Sequence, residues 1–401
     1  MQGTPAATRL GHYIETATGG ETVRAFVPPP LPPVPPLDLA PLLERLGEAD
    51  RALGRLDGVS RLLQNQELFL YMYVRKEAVL SSQIEGTVST LDDLLQFEAG
   101  PKSAPPIKDV QEVLNYVAAM MHGLRRLDEL PISLRLLREM HAILLRSGRG
   151  ADKNPGEFRR NQNWLGGTRP GNAAFVPPPP NEMTTCLDNL EKFIHEDATK
   201  LPPLIRAGLL HVQFETIHPF SDGNGRAGRL LITLDLCARG ILHQPLLYLS
   251  LHFKTHQQDY YRLLQEVRER GAWEAWLEFF LDGVTTTANE AFESATTISP
   301  LFDSDRAKIA ASSGAAPSTI QLYNLLPKTP FVTTSSAVQQ TGLTPPTINS
   351  AIGQLQTLGI LKEITGKQRD RVYAYESYLD ILRDSPNQKP IPDVAKSGFG
   401  P

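Results

Sequence analysis

The sequence predicts a mainly α-helical protein with one short β-hairpin in its middle and a small winged-helix-like domain at its C-terminal end. Three observations predict it. Apolar residues recur at helical spacing through most of 39–288, as in Ala207, Leu210, Phe214 and Ile217. Two short extended segments, 162–167 and 174–177, flank a Gly/Pro turn. After Ser299 the composition shifts toward Ser, Ala and Pro, and the last periodic segments give way to alternation around Gly366.

Taken in order, residues 1–36 read as mostly irregular. They close with a proline cluster at 28–36, whose extended geometry suits an arm packed along the core. Helical patterns follow over 39–98, with Leu42, Leu43 and Leu46 in one helix and Leu68, Tyr71 and Val74 in another. Thr90 followed by Asp93 is a start signal for a short helix. A linker at 99–106 precedes helices at 107–126 and 132–145, and the loop 147–182 carries the hairpin. Helices resume at 183–196 and 203–217, where Pro219 forbids continuation. Leu230, Leu231, Leu234 and Cys237 restart the stripe, and Gly240 stops it. Segments 247–253, 258–270 and 273–288 complete the helical set. In the tail, 312–318 reads as a boundary. Short helices at 319–326, 335–341 and 346–358 precede a two-stranded wing at 359–375. Three regions result: 1–106, 107–298 and 299–401.

Composition narrows the function classes. The 401 residues suit two or three domains. With 40 Lys and Arg against 44 Asp and Glu, the formal charge of −4 gives no global basic field for nucleic acid. Cys186 and Cys237 have no metal-type spacing and support no disulfide framework, so a reducing compartment is the simpler expectation. Residues 1–24 lack the apolar core of a signal peptide, and no run approaches the ~18 apolar residues of a membrane span. A cytoplasmic protein without a membrane partner is expected.

The chemistry concentrates in His218-Pro219-Phe220-Ser221-Asp222-Gly223-Asn224-Gly225-Arg226-Ala227-Gly228-Arg229. This is a helix–loop–helix junction whose glycines sit at the start of the second helix. Free N–H groups and the positive dipole end make that a ready anion site. Asp222 offers a hard carboxylate suited to magnesium on phosphates. Asn224 offers an amide hydrogen to phosphate oxygen. Arg226 and Arg229, three apart on one helix face, would repel unless they share an anion, and each can fork onto phosphate. His218 titrates near neutrality and can take a proton from an attacking hydroxyl. Together they suggest transfer of a phosphorus-centred group to an alcohol.

The string resembles the signature of the Fic family, HPFx[DE]GNGRxxR, at every defined position. The resemblance implies a Fic helical bundle that transfers AMP from ATP to a hydroxyl side chain of a target protein. It implies His218 as general base, Phe220 as a buried anchor, and Asp222 as the Mg2+ ligand. Gly223, Asn224 and Gly225 would form the phosphate nest, with Arg226 on the phosphates and Arg229 on the γ-phosphate. Upstream, Ser81-Ser82-Gln83-Ile84-Glu85-Gly86 fits the family's inhibitory pattern, [ST]xxxE[GN]. Ser81 and Glu85 share a helix face, and Gly86 would end that helix. The resemblance pairs Glu85 with Arg229, which puts a carboxylate where the γ-phosphate belongs. It also makes 158–180 the flap that covers the site and pairs with the target's backbone. Tyr260 and Tyr261 are the candidates for the adenine pocket. Self-modification and a homodimer are family habits expected here.

Other functions start from the same residues. A relative of this fold could remove AMP from a protein, use another nucleotide or transfer another phosphate-containing group. A DNA-binding regulator could act through the tail, where Thr341-Gly342-Leu343-Thr344 resembles the turn of a helix-turn-helix. The recognition helix that follows carries no Lys or Arg. Only Lys362, Lys367, Arg369 and Arg371 in the wing supply cations, which argues against DNA.

Overall fold

A computed structural model describes residues 9–62, 66–99, 108–196, 201–312, 316–366 and 371–383. The chain opens with strands β1 (His12–Thr18) and β2 (Glu21–Val27), paired antiparallel from His12 opposite Val27 to Thr18 opposite Glu21. A hairpin thus stands within a stretch that the sequence pattern gives as mostly irregular. Gly19 and Gly20, with φ of 57° and 80°, supply the two positive-φ residues that a tight hairpin turn requires. The strands' polar, solvent-facing positions hide the alternation that marks them.

The proline arm behind the hairpin packs as expected. Leu31 is buried, and Gln213 Nε2 donates to the Pro29 carbonyl at 2.8 Å. Arg9 holds Glu274 at 2.6 Å and the carbonyls of Pro35 and Pro36. Helices α1 (Leu43–Leu62), α2 (Gln66–Ile84) and α3 (Leu91–Ala99) follow. Thr90 and Asp93 exchange reciprocal capping bonds at the start of α3. The expected linker, apart from Ala99, lies outside the described residues.

The core is built on α4 (Lys108–Arg126), α5 (Leu134–Leu144), α6 (Pro180–His195), α7 (Pro203–Ile217) and α8 (Asn224–Ala238). Every residue of α7 from Leu204 to Ile217 is buried, and α8 is buried from Arg226 to Leu236. A helix buried on all sides belongs at the centre of a bundle. Around this pair pack α4, α5 and α6, with α9 (Ser250–Thr255), α10 (Gln257–Arg270) and α11 (Trp273–Ala311).

Helix α11 is longer than its sequence pattern suggests. It continues past Ala288, where the expected helix stops, and past Ser299, where the composition shift places a domain boundary. Ala291, Ala295, Ile298, Phe302 and Ile309 extend its buried stripe across Pro300. The small, hydroxyl-rich residues between them mask that stripe. Trp276 Nε1 binds the Gly208 carbonyl in the core at 2.9 Å, while Asp305 takes the Tyr375 hydroxyl in the tail at 2.6 Å. One rod therefore serves both regions.

The tail holds α12 (Pro317–Tyr323), β3 (Phe331–Val332), α13 (Thr334–Thr341), α14 (Pro345–Thr357), β4 (Lys362–Glu363), β5 (Tyr373–Ala374) and α15 (Glu376–Arg383). Its three-stranded sheet runs β3–β5–β4, so the wing gains a strand that the sequence pattern does not reveal. Lys367 and Arg369 lie outside the described residues. The tail packs back on the front of the chain, with Arg383 on Asp92 at 2.6 Å and Lys328 on Glu67 at 3.1 Å.

Candidate active site

Helix α7 ends at His218, which takes a left-handed conformation (φ 49°) while its N–H still bonds the Phe214 carbonyl. A non-glycine residue held there points to local constraint, and the constraints are visible. Arg159 donates from Nε to the His218 carbonyl and from its backbone N–H to the Pro219 carbonyl, both at 2.9 Å. Phe220 is completely buried, stacked on His141 with centroids 3.7 Å apart and flanked by Phe158 and Phe214. His141 in turn accepts the Gly156 N–H at Nδ1 and donates from Nε2 to the Asp222 carbonyl. Burial pushes the His141 pKa down to about 4, so the ring keeps the neutral tautomer that this pair of bonds needs.

Asn224 braces the loop. Its Oδ1 accepts the Phe220 N–H at 2.8 Å, and its Nδ2 donates back to the Phe220 carbonyl at 2.9 Å. Both ends of the amide are spent closing the loop, because a buried amide without partners is costly. One of the two Nδ2 hydrogens is used in this way. Gly223, at φ 75°, makes the entry to α8 that a Cβ would strain.

Asp222 stands at the mouth. Its Oδ1 accepts the Gly223 N–H at 2.6 Å and lies 3.9 Å from Arg226 Nη2. Gly150 faces it across the cleft, and a Cβ there would fall 2.5 Å from Oδ2. Among the described residues no three His, Cys, Asp or Glu side chains converge as a metal cage. A lone accessible carboxylate fits magnesium, which takes one or two carboxylates and completes its shell with phosphate oxygens and water.

The two arginines are buried and already engaged. Arg226 donates from Nη1 to Glu112 at 3.1 Å, while its buried Nε has no partner among the described residues. Arg229 donates from Nε to Ser81 Oγ at 2.8 Å, and from Nη2 to the Ser81 carbonyl at 3.0 Å and Glu85 Oε1 at 2.5 Å. Helix α2 ends one residue before Glu85, and Gly86 (φ 89°) turns the chain away. The same Glu85 oxygen presses on the first turn of α8, where a Cβ on Gly225 would fall 2.3 Å from it. A carboxylate thus sits on the anion site formed by the α8 N-terminus and Arg229. Burial alone would raise the Glu85 pKa, but Arg229 overrides it, with help from Arg226 and Arg149, and holds the carboxyl below its usual range.

The imidazole of His218 is kept neutral. Burial, then the charges of Arg159 and Arg268, push its pKa down to about 3. Its Nδ1 has no partner among the described residues. One turn earlier, Glu215 is buried, its Oε1 without a partner among the described residues, and burial pushes its pKa up to about 7 against the pull of Arg229.

The two tyrosines separate. Tyr260 is wholly buried, its hydroxyl on His211 Nε2 at 2.8 Å and its ring against Phe253 and Trp276, so no face is open to a base. Tyr261 is only half-buried beside it. The flap is less regular than a hairpin. A single bridge joins Leu165 to Phe175, and a 3-10 turn at Pro170–Asn172 links the segments. Prolines from Pro177 to Pro180 lack the N–H groups to extend the ladder.

The model described as Fic/DOC family N-terminal matches residues 43–125, and that described as Fic/DOC family matches 131–236. The chain carries a Fic domain. Similar curated proteins are each named Protein adenylyltransferase Fic. That of Drosophila yakuba is 28% identical over 232 residues, covering 57% of this chain and 42% of its own. That of Drosophila virilis is 32% identical over 165 residues, covering 41% and 31%. The match thus spans less than half of these relatives. The crystal structure of a Fic family protein from Desulfovibrio desulfuricans superposes with a TM-score of 0.53 at 19% identity. It covers 84% of this chain and 96% of its own, which shows a shared fold.

The Fic motif residues and the upstream Ser81 and Glu85 therefore meet in one place. Sequence reasoning missed Glu112, His141 and Arg159. Each reaches the Fic loop from a distant element, and no local pattern marks them. No helix among the described residues is long and apolar enough to cross a membrane.

Proposed function

We propose that the chain is a protein adenylyltransferase that moves AMP from ATP to a Ser, Thr or Tyr hydroxyl of a target protein, held in check by Glu85. The observation that carries this reading is the crowding of one anion site. The N-terminus of α8, buried Arg226 with an Nε that has no partner among the described residues, and buried Arg229 all face it, beside a neutral imidazole. Such donors suit a phosphate chain. The names of the relatives supply the donor and the kind of acceptor.

In this reading His218 takes the proton of the acceptor hydroxyl as its oxygen attacks the α-phosphorus of ATP. The bond to the bridging oxygen breaks and pyrophosphate leaves. Backbone amides at Gly225 and Arg226 and the guanidinium of Arg226 hold the phosphate oxygens as charge builds on them. Magnesium, held by Asp222, would supply neutralising charge on the phosphates. Arg229 serves the γ-phosphate once Glu85 withdraws, and Tyr261, rather than Tyr260, meets the base. With Glu85 in place, a γ-phosphate meets a carboxylate instead of an open arginine, which favours a non-productive pose.

The test uses ATP labelled at the α or the γ phosphate with the Glu85→Gly variant. Label transferred from the α position, with a mass gain of one AMP on the acceptor, is the expected result. Transfer from the γ position, or a different adduct mass, would remove the donor assignment. No Lys or Arg on α14 supports the DNA-binding alternative.

A further inference from the structure

The N-terminal hairpin does not simply cover the core. Phe26 donates its N–H to the Val176 carbonyl at 2.9 Å, so β2 pairs with the return segment of the flap. Val23, Ala25 and Val176 form a separate apolar cluster, with Ile14 and Ala173 against it. The ring of Phe26 stands 6.2 Å from that of Phe175. At the flap's turn, Glu21 pairs with Arg169 at 2.9 Å and closes on Gly171, where a Cβ would fall 2.1 Å from Oε2. The flap's own pairing is one bridge, and a two-stranded ribbon of that kind is marginal by itself. Its support comes from the hairpin.

The hairpin is in turn referenced to the helix that delivers the base. Gln213 of α7 binds the Pro29 carbonyl two residues beyond β2, and α7 ends at His218. On the other side, Asn163 Nδ2 donates to the Phe220 carbonyl at 3.1 Å, and Arg159 spans from Pro178 to His218. Arg268 covers the Phe175 ring at 4.0 Å and reaches the Glu215 carbonyl of α7. Flap and imidazole are thus registered to the same helix from two sides.

We propose that hairpin β1–β2 is part of the acceptor-positioning apparatus, with Glu21, Val23 and Phe26 as positioning residues that set where the flap stands relative to His218. This rests on the adenylyltransferase reading, in which the flap receives the acceptor chain. A hydroxyl displaced by about an ångström loses much of the rate that orientation provides, whereas ATP, held by α8, does not sense the hairpin.

The test places Val23→Asp, and separately Glu21→Arg, in the full-length Glu85→Gly protein. Two readouts are taken. Amide hydrogen exchange of 162–176 is expected to quicken in both variants. Exchange as slow as in the parent would overturn the coupling, whatever the activity. With dephosphorylated casein as acceptor, the KM for casein is expected to rise about fivefold or more, with Mg-ATP affinity by calorimetry unchanged. Adding Arg169→Glu to Glu21→Arg should restore it. An unchanged casein KM, or an equal loss of ATP affinity, would overturn the positioning role. If the parent transfers nothing to casein or to itself, the enzymatic reading fails on its own, and the exchange data still decide whether the hairpin holds the flap.

Discussion

Glu85 and Arg229 meet at 2.5 Å beside the first turn of α8, and Ser81 holds the same guanidinium from one helical turn further back. The arginine is buried and permanently charged, so it holds the carboxyl beside it below the usual range. Charge, rather than bulk, is then what Glu85 contributes. Glu85→Gln keeps the size, so its transfer rate from labelled ATP is expected to fall between those of wild type and Glu85→Gly. A rate equal to wild type would make the block steric.

A second prediction concerns the base. With the His218 pKa held near 3 by burial and by Arg159 and Arg268, the imidazole is unprotonated throughout the neutral range. The kcat/KM of Glu85→Gly is expected to lack the acid limb near pH 6.5 that an ordinary histidine gives, staying level down to about pH 4. His218→Ala is expected to lose about 10²–10⁴ of the rate, the usual contribution of a general base, with Mg-ATP binding retained. A pH–rate profile on the two variants checks both.

The third concerns the partner of Arg226. Glu112 and Arg226 are both buried, and Glu112 also takes the Arg149 N–H. Glu112→Ala leaves a buried guanidinium unpaired. Stability is expected to fall by about 3–5 kcal/mol, the range for breaking such a pair from one side. Denaturant unfolding measures it, and a loss under about 1 kcal/mol would show that Asp222 or water takes over.

A fourth follows from Glu215. Its folded pKa is about 7, against an ordinary value of 4.5. Between those values the folded protein keeps a proton that the unfolded chain releases, so folding weakens as pH rises through that window. The stabilisation is complete below pH 4.5 and lost above about 7. The melting temperature of wild type relative to Glu215→Gln is therefore expected to fall between pH 4.5 and 7. A constant difference would mean that Arg229 and Arg268 keep the carboxylate charged.

The lesson for sequence reading lies in which interactions are local. The Fic loop was legible because its chemistry is written in consecutive residues, and Ser81 and Glu85 because four residues fix one helix face. The capping pair Thr90 and Asp93 was legible for the same reason. Glu112, His141 and Arg159 were not, since each is defined only by where α4, α5 and the 147–182 loop come to rest. The bracing bonds of Asn224 to Phe220 are not legible in the sequence, because its residue type suits both a ligand and a brace. The burial of Tyr260 is not legible either, because helical spacing does not say which aromatic faces the core. Gly19-Gly20 is the one local signal for the hairpin, and strands with one polar face read as loop beside it.

The central claim is that Glu85 occupies the place of a donor phosphate. Calorimetric titration of Mg-ATP, run alongside α-labelled transfer on wild type and Glu85→Gly, tests it most directly. A charge-assisted bond of this kind is worth about 1.5–3 kcal/mol, so removing the carboxylate should raise transfer roughly 10- to 100-fold while the variant binds Mg-ATP. Equal transfer by both proteins, or no Mg-ATP binding by Glu85→Gly, would contradict it.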